Sequence, residues 1–158
     1  MIILGLDPGI ADTGFGILRL DGGKISILHF GTIKTKKNTS FSRRLIQLSD
    51  EVTKIINQYR PVRAALERLF FYNNSKTALV VGEARGVLTL TVARAGLPIF
   101  EYTPLQVKQA LTGSGKADKE QVQKMLKLVF KMKEAPRSDD AADALAIAYC
   151  CAVSVNRN

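Results

Sequence analysis

Residues 2 to 34 hold three strand-like runs joined by connections too short to be anything but turns, and this constrains the fold more than any other feature. Ile2 to Asp7 is an apolar run that closes on Asp7-Pro8-Gly9, a buried strand running into a turn. Phe15 to Leu20 reads as a second strand, and Asp21-Gly22-Gly23 as a hairpin turn, because glycine accepts the positive φ that such turns demand. Lys24 to Lys34 alternates apolar and polar residues and reads as the third strand. Parallel neighbours need a crossover of a dozen residues or more, so these three strands are expected to form an antiparallel meander.

The pattern then changes period. Ser40 can cap a helix in which Leu45, Leu48, Val52, Ile55 and Ile56 recur at three- and four-residue spacing. Pro61 punctuates, and Val62 to Arg68 reads as a fourth strand with Glu67 near its end. Asn74 or Ser75 opens a long helix through Ala95, with Gly82 and Gly86 on one face as an expected close contact with the sheet. Pro98 to Tyr102 reads as a fifth strand. A short helix near Leu105–Leu111, a Thr112–Lys116 loop, a basic helix Asp118–Lys131 and a last helix from Ser138 to Val153 complete the chain. The order β-β-β-α-β-α-β followed by helices implies an α/β, ribonuclease-H-like fold: a mixed five-stranded sheet flanked by helices on both faces.

At 158 residues, 1–158 is the size of one domain, and its 46% apolar and 23% charged residues rule out disordered and low-complexity classes. No apolar run is long enough to span a bilayer, and a secretory signal would need a basic start that the N-terminus does not show. Cys150 and Cys151 are adjacent, which suits two small apolar residues better than a disulfide or a zinc site. A cytoplasmic protein is expected. The net charge of +9 points to a polyanionic partner, nucleic acid before an anionic membrane surface.

Acids are scarce, so their positions carry information. Asp7 ends the first strand, Glu67 ends the fourth, and Asp140 and Asp143 lie three apart on one face of the last helix. Singly, each has an ordinary explanation: a turn Asp, a strand-end Glu beside Arg68, a helix cap. Asp143 resists this most, since the alanines around it suggest a helix lying close on the sheet with the carboxylate directed towards it. If the first and fourth strands are neighbours, all four acids converge. Such hard oxygen donors suit Mg²⁺ or Mn²⁺, and two such ions can activate water and stabilise the leaving oxygen of a phosphodiester. Other chemistries are poorly supplied: His29 is the only histidine and sits in a strand, and there is no GxxxxGK[ST] or GxGxxG loop.

Residues 108 to 133 carry seven lysines against two acids, a surplus of five that is either a solvated face or a phosphate-binding one. Gly113 and Gly115 beside Lys116 make a loop whose backbone could approach a phosphate. Phe70, Phe71 and Tyr72 cannot all enter the core, so at least one is free to stack on an unpaired base, while a lid or dimer contact explains Phe71 equally well.

Five segments together resemble the RuvC family: Ile3–Gly9, Leu66–Phe70, Gly82–Val87, Tyr102–Lys108 and Asp140–Ala146, in family order across nearly the whole chain. The resemblance implies a homodimeric bacterial endonuclease that binds four-way DNA junctions, nicks two opposed strands symmetrically with Mg²⁺ (Mn²⁺ as substitute, two ions per site), and works beside a branch-migration helicase complex. Carried over by position, the family's catalytic and metal-binding acids fall on Asp7, Glu67, Asp140 and Asp143. Its junction-contacting aromatic falls on Phe70, its basic DNA-binding residues on Lys108 and Lys119. By analogy, the helix Thr77–Ala95 is the expected dimer interface. The chain stops at Asn158, where some relatives carry a longer basic tail, so nothing about a tail is carried over.

Three rival readings are weaker. A ribosomal-RNA-processing nuclease of the same fold is disfavoured by Phe70, the basic helix and the Asp140–Asp143 pair. An actin-like ATPase or sugar kinase needs two such domains. A non-catalytic junction-binding module has no need of four acids within a basic surface.

Overall fold

The computed structural model describes residues 1–68 and 75–155. Its elements are β1 (Ile2–Asp7), β2 (Asp12–Asp21), β3 (Lys24–Lys34), α1 (Phe41–Tyr59), β4 (Arg63–Glu67), α2 (Ser75–Arg94), β5 (Ile99–Tyr102), α3 (Pro104–Thr112), α4 (Lys119–Val129) and α5 (Asp139–Val155). The strands form one sheet in the order β3-β2-β1-β4-β5. β2 runs antiparallel to both β1 and β3, whereas β4 is parallel to β1 and to β5. The expected meander and mixed sheet are both present. Gly22 and Gly23 turn the β2–β3 hairpin at φ +51° and +82°, values that an L-residue with a Cβ adopts only with strain.

Period-two alternation sorts the strands between two cores. Leu4 and Leu6 of β1, Ile17 of β2 and Ala64 and Leu66 of β4 face α1 and α2, where Leu48, Val52, Leu88 and Val92 meet them. On the other face, Ile3, Leu18 and Ala65 pack against α5, with Val107, Leu111, Val122 and Leu126 of α3 and α4 outside it. Asp7 and Glu67, two residues beyond Gly5 and Ala65, therefore point to the α5 side of the sheet.

That approach is close because the strands beneath α5 carry glycine. A Cβ on Gly5 would overlap the Ala144 carbonyl oxygen, one on Gly14 the Asp140 carbonyl oxygen, and one on Gly16 would stand 3.0 Å from the Leu145 Cα. The alanine-rich face of α5 completes the contact, and Ala141, Ala142 and every residue from Ala144 to Ala148 are buried. Gly82 and Gly86 do not play the part expected of them. Cβ atoms there would meet nothing within 4 Å. Ala84, Leu88 and Val92 face the core instead, leaving the two glycines on the open side of α2. Among the described residues no helix is long and apolar enough to cross a membrane.

Candidate active site

β1 and β4 are in parallel register, Gly5 opposite Ala65 and Leu6 opposite Leu66, so Asp7 and Glu67 are the next pair at the strand ends. Asp7 also faces Gly14 across the β1–β2 ladder. Because Gly14 lies directly under the backbone of Asp140, the first turn of α5 is seated beside Asp7. Asp143, one turn on, lines a groove of about 290 Å³ together with Glu67, Lys108, Lys119, Pro104, Val107, Val122, Ala146 and Ile147.

The acids sense each other strongly. The Asp7 carboxyl is pushed up to about 8, first by burial and then by the charges of Asp143, Glu67 and Asp140, with Lys119 opposing. Glu67 is raised by burial and by Asp143, against the pull of Lys108. Burial likewise raises Asp143; Lys119 is the largest opposing influence, Asp139 and Asp140 add to the rise, and Lys108 opposes it weakly. Two lysines do not balance four carboxylates. The set of hard oxygen donors, partly desolvated and mutually repelling, fits a divalent cation. Among the described residues no three Asp, Glu, His or Cys side chains stand in ready-made metal-holding geometry, so a cation would have to draw the carboxylates inwards.

Neighbouring groups hold the frame. The Ser138 hydroxyl accepts from Thr32 Oγ1 at 2.9 Å and donates to Asp140 Oδ2 at 3.4 Å, linking β3 to one oxygen of Asp140. Asp139 accepts from Lys119 Nζ at 2.7 Å and from Gln123 Nε2 at 3.0 Å, which ties it to α4. Arg68 does not pair with Glu67: it faces Glu101 at 3.9 Å, and Arg85 bonds the same Glu101 and donates to the Glu67 carbonyl at 3.4 Å. The turn after Asp7 is pinned by Thr13, whose hydroxyl donates to the Gly9 carbonyl, and by Thr35, whose hydroxyl donates to the Ile10 carbonyl at 2.5 Å.

The lysines are placed by two capping boxes. Thr103 caps α3 with Gln106 answering, and Asp118 caps α4 with Gln121 answering, which fixes the helices carrying Lys108 and Lys119. Lys116 is exposed and lines none of this groove. Its loop spends its amides internally: Ser114 N–H on Thr112, Gly115 N–H on Gln109 and Lys116 N–H on Ser114. The backbone phosphate contact expected there is therefore left with the Lys116 ammonium alone. Phe70 lies outside the described residues. His29 stacks with Tyr59 at 5.8 Å and tilts on Phe15 at 5.5 Å, a packing role away from the acids. The strand glycines 5, 14 and 16 escaped the sequence reading, because G-x-D at the end of one strand and G-x-G in the next point to a helix only once the three elements are known to be neighbours.

Fold and groove together define the class: a ribonuclease-H-like nuclease with its carboxylates at the ends of two parallel strands and on the helix across them. The family model of the crossover junction endodeoxyribonuclease RuvC matches residues 3–151. The RuvC of Ruminiclostridium cellulolyticum is 50% identical over 150 residues, 95% of this chain and 90% of that protein. That of Heliobacterium modesticaldum is 48% identical over 155 residues, 98% and 96% of the two chains. Thermus thermophilus RuvC in complex with a Holliday junction substrate superposes with a TM-score of 0.93 at 37% identity, covering 99% of this chain and 96% of that one. The yeast mitochondrial Holliday junction resolvase shares the fold, with a TM-score of 0.68 at 18% identity. This chain belongs to the RuvC family of crossover junction endodeoxyribonucleases.

Proposed function

We propose that residues 1–158 form a single nuclease domain that acts as a Holliday-junction resolvase, a metal-dependent endodeoxyribonuclease nicking two opposed strands of a four-way DNA junction in recombination and repair. The observation that carries this reading is the convergence of Asp7, Glu67, Asp140 and Asp143 beside Lys108 and Lys119, with three of the acids held in protonation-prone states that a cation would relieve.

In this reading Asp7, Glu67, Asp140 and Asp143 hold Mg²⁺, with Mn²⁺ as substitute and two ions per site. Bound divalent cations supply an activated water and offset charge on the scissile phosphate. The protein does the positioning. Lys108 and Lys119 line the groove where a phosphate would lie, and Lys119 is steadied by Asp139. The Ser138 hydroxyl occupies one oxygen of Asp140 and so directs the carboxylate. Val107, Val122 and Ile147 give the groove an apolar wall, against which the charged contacts are screened less by water. Phe70, by its place in the family motif, stacks at the junction crossover, and Lys116 adds charge beside the path.

Symmetric nicking calls for a two-fold pair of sites, and α2 supplies a suitable face. Leu79 and Leu90 are 65% and 51% exposed, and the space beside Gly82 and Gly86 is open. We assign α2 to an isologous homodimer contact, working beside a branch-migration helicase in the bacterial cytoplasm. The deciding experiment incubates a four-way junction, a linear duplex and an RNA hybrid with the protein in Mg²⁺, Mn²⁺ and EDTA. Paired nicks in the junction alone, only with a divalent cation, are expected. Equal cutting of all three substrates would overturn the assignment.

A further inference from the structure

From Gly22 to Ser49 the sequence contains no acid, yet it holds Lys34, Lys36, Lys37, Arg43 and Arg44 within eleven residues. The structure gathers these at the end of β3 and the start of α1. Lys36, Lys37 and Arg43 are exposed, and among the described residues none of them has an ion-pair partner. On α4, Lys119 is paired with Asp139 and Lys124 with Glu120, and among the described residues Lys127 has no ion-pair partner. The β3–α1 connection thus presents uncompensated positive charge of its own.

Topology sets where that charge lies. β3, β1, β4 and β5 all point the same way, because β2 is antiparallel to both β1 and β3. Their carboxyl ends therefore share one edge of the sheet. Reading across it in the order β3-β2-β1-β4-β5, one meets Lys34, Asp12, Asp7, Glu67 and Tyr102, after which α3 brings in Lys108. Acids occupy the centre and bases both margins. Four gaps between strands at about 4.8 Å each put the margins roughly 20 Å apart, close to the rise of about six base pairs at 3.4 Å each. A second groove, lined by Gly9, Ile10, Ala11, Asp12, Val80, Val81 and Asp140, leaves the acids on the β2 side, away from Lys108 and Lys119.

The segment is also fastened to the catalytic turn. The Thr35 N–H donates to the Ala11 carbonyl at 3.1 Å, its hydroxyl to the Ile10 carbonyl, and Arg44 Nε donates to Thr35 Oγ1 at 2.8 Å. Arg44 is therefore a structural clamp. Among the described residues the side chains of Lys36, Lys37 and Arg43 make no ion pair, and the segment that carries them is tied to the turn after Asp7.

We propose that Lys36, Lys37 and Arg43 form a second phosphate-binding surface, which grips the DNA backbone on the flank of the active site opposite Lys108 and Lys119. The inference rests on the nuclease reading above and extends it: the bound arm crosses the whole carboxyl edge of the sheet rather than entering from the α3–α4 side alone. Such contacts recognise backbone charge and not sequence.

The test measures the salt dependence of four-way-junction and linear-duplex binding by fluorescence anisotropy in EDTA, where cleavage cannot interfere. Each lost phosphate contact lowers the slope of log K against log salt by about 0.9. The triple variant K36Q/K37Q/R43Q is expected to lower it by about 2–3 and to weaken binding at least roughly tenfold at moderate salt. The charge-keeping variant K36R/K37R/R43K should retain the wild-type slope. Lys54→Gln, which breaks the Lys54–Glu51 pair further along α1, should leave the slope alone. An unchanged slope in a triple variant with wild-type circular dichroism overturns the inference. Failure of the wild-type protein to prefer the junction would instead strike the resolvase reading, while the slope comparison on either substrate still judges the second surface.

Discussion

Asp7 concentrates the electrostatic problem of the site in one side chain. Its carboxyl ionises at about 8 in the folded protein, against an ordinary 3.8. The native state therefore binds the proton more tightly than the unfolded chain, and the metal-free protein loses stability as pH rises from about 4 to about 8. The loss attributable to this residue is expected to be up to roughly 6 kcal/mol, read from urea midpoints at several pH values in EDTA. Saturating Mg²⁺ should flatten that slope, because a ligand bound only by the native state opposes it. Asp7→Asn should reduce it too, without metal, leaving the part that Glu67 and Asp143 contribute, while lowering junction cleavage by roughly 10²–10³-fold or more and leaving metal-free junction binding at least as tight. A variant whose loss over this range equals that of the wild type would place the titrating charge elsewhere. Ser138→Ala tests the directing hydroxyl: a modest loss of about 1 kcal/mol in stability is expected from the missing hydrogen bonds, with a larger proportional loss in cleavage rate.

The critical element is α5, whose seat is made of absent side chains. Gly14→Ala would drive a methyl group into the Asp140 carbonyl, where backbone and not a flexible side chain must give way. Lifting α5 enough to relieve the overlap should cost about 2–3 kcal/mol, and a shift near 1 Å at Asp140 should slow cleavage by roughly 10²-fold. Denaturant unfolding and single-turnover cleavage on the same sample would check both; a variant with wild-type rate would show that α5 does not position the acids. Here the sequence was only half legible. The hairpin at Gly22-Gly23 and the span of β3 were readable because turn chemistry and alternation are local signals. Asp7, Glu67 and Asp143 stood out for the same reason, as acids in apolar surroundings. The glycine seat was not readable, since Gly5, Gly14 and Gly16 acquire meaning only once β1, β2 and α5 are known to be neighbours. Gly82 and Gly86 misled for the converse reason: a spacing that permits close packing does not say which side of the helix receives it. Asp139, one residue from Asp140, turned out to belong to α4 through Lys119 and Gln123, a distinction that only side-chain direction reveals.

For the whole molecule, the net charge of +9 resolves into a pattern of bases, acids and bases along one sheet edge. The count of lysines in residues 108–133 drew attention to one margin only, because a shorter segment without acids is less conspicuous than a longer one rich in lysine. The open face of α2 belongs to this scale as well. Leu79→Lys with Leu90→Lys should convert the proposed dimer into a monomer in analytical ultracentrifugation. The unfolding free energy of the subunit should stay within about 1 kcal/mol, since both side chains are on the surface. Coordinated nicking of opposed strands should fall at least roughly tenfold with it, whereas an unaltered sedimentation coefficient would remove α2 from the interface.

The docking of α5 on bare strand backbone also has a consequence for the protein's history in the cell. The four acids come from residues 7, 67, 140 and 143, and the last two reach the others only when the glycine seat is filled. A chain still emerging from the ribosome therefore lacks two of the four proposed site acids until α5 has been synthesised and seated. On the proposed reading, the nuclease site is the last part of the fold to be completed.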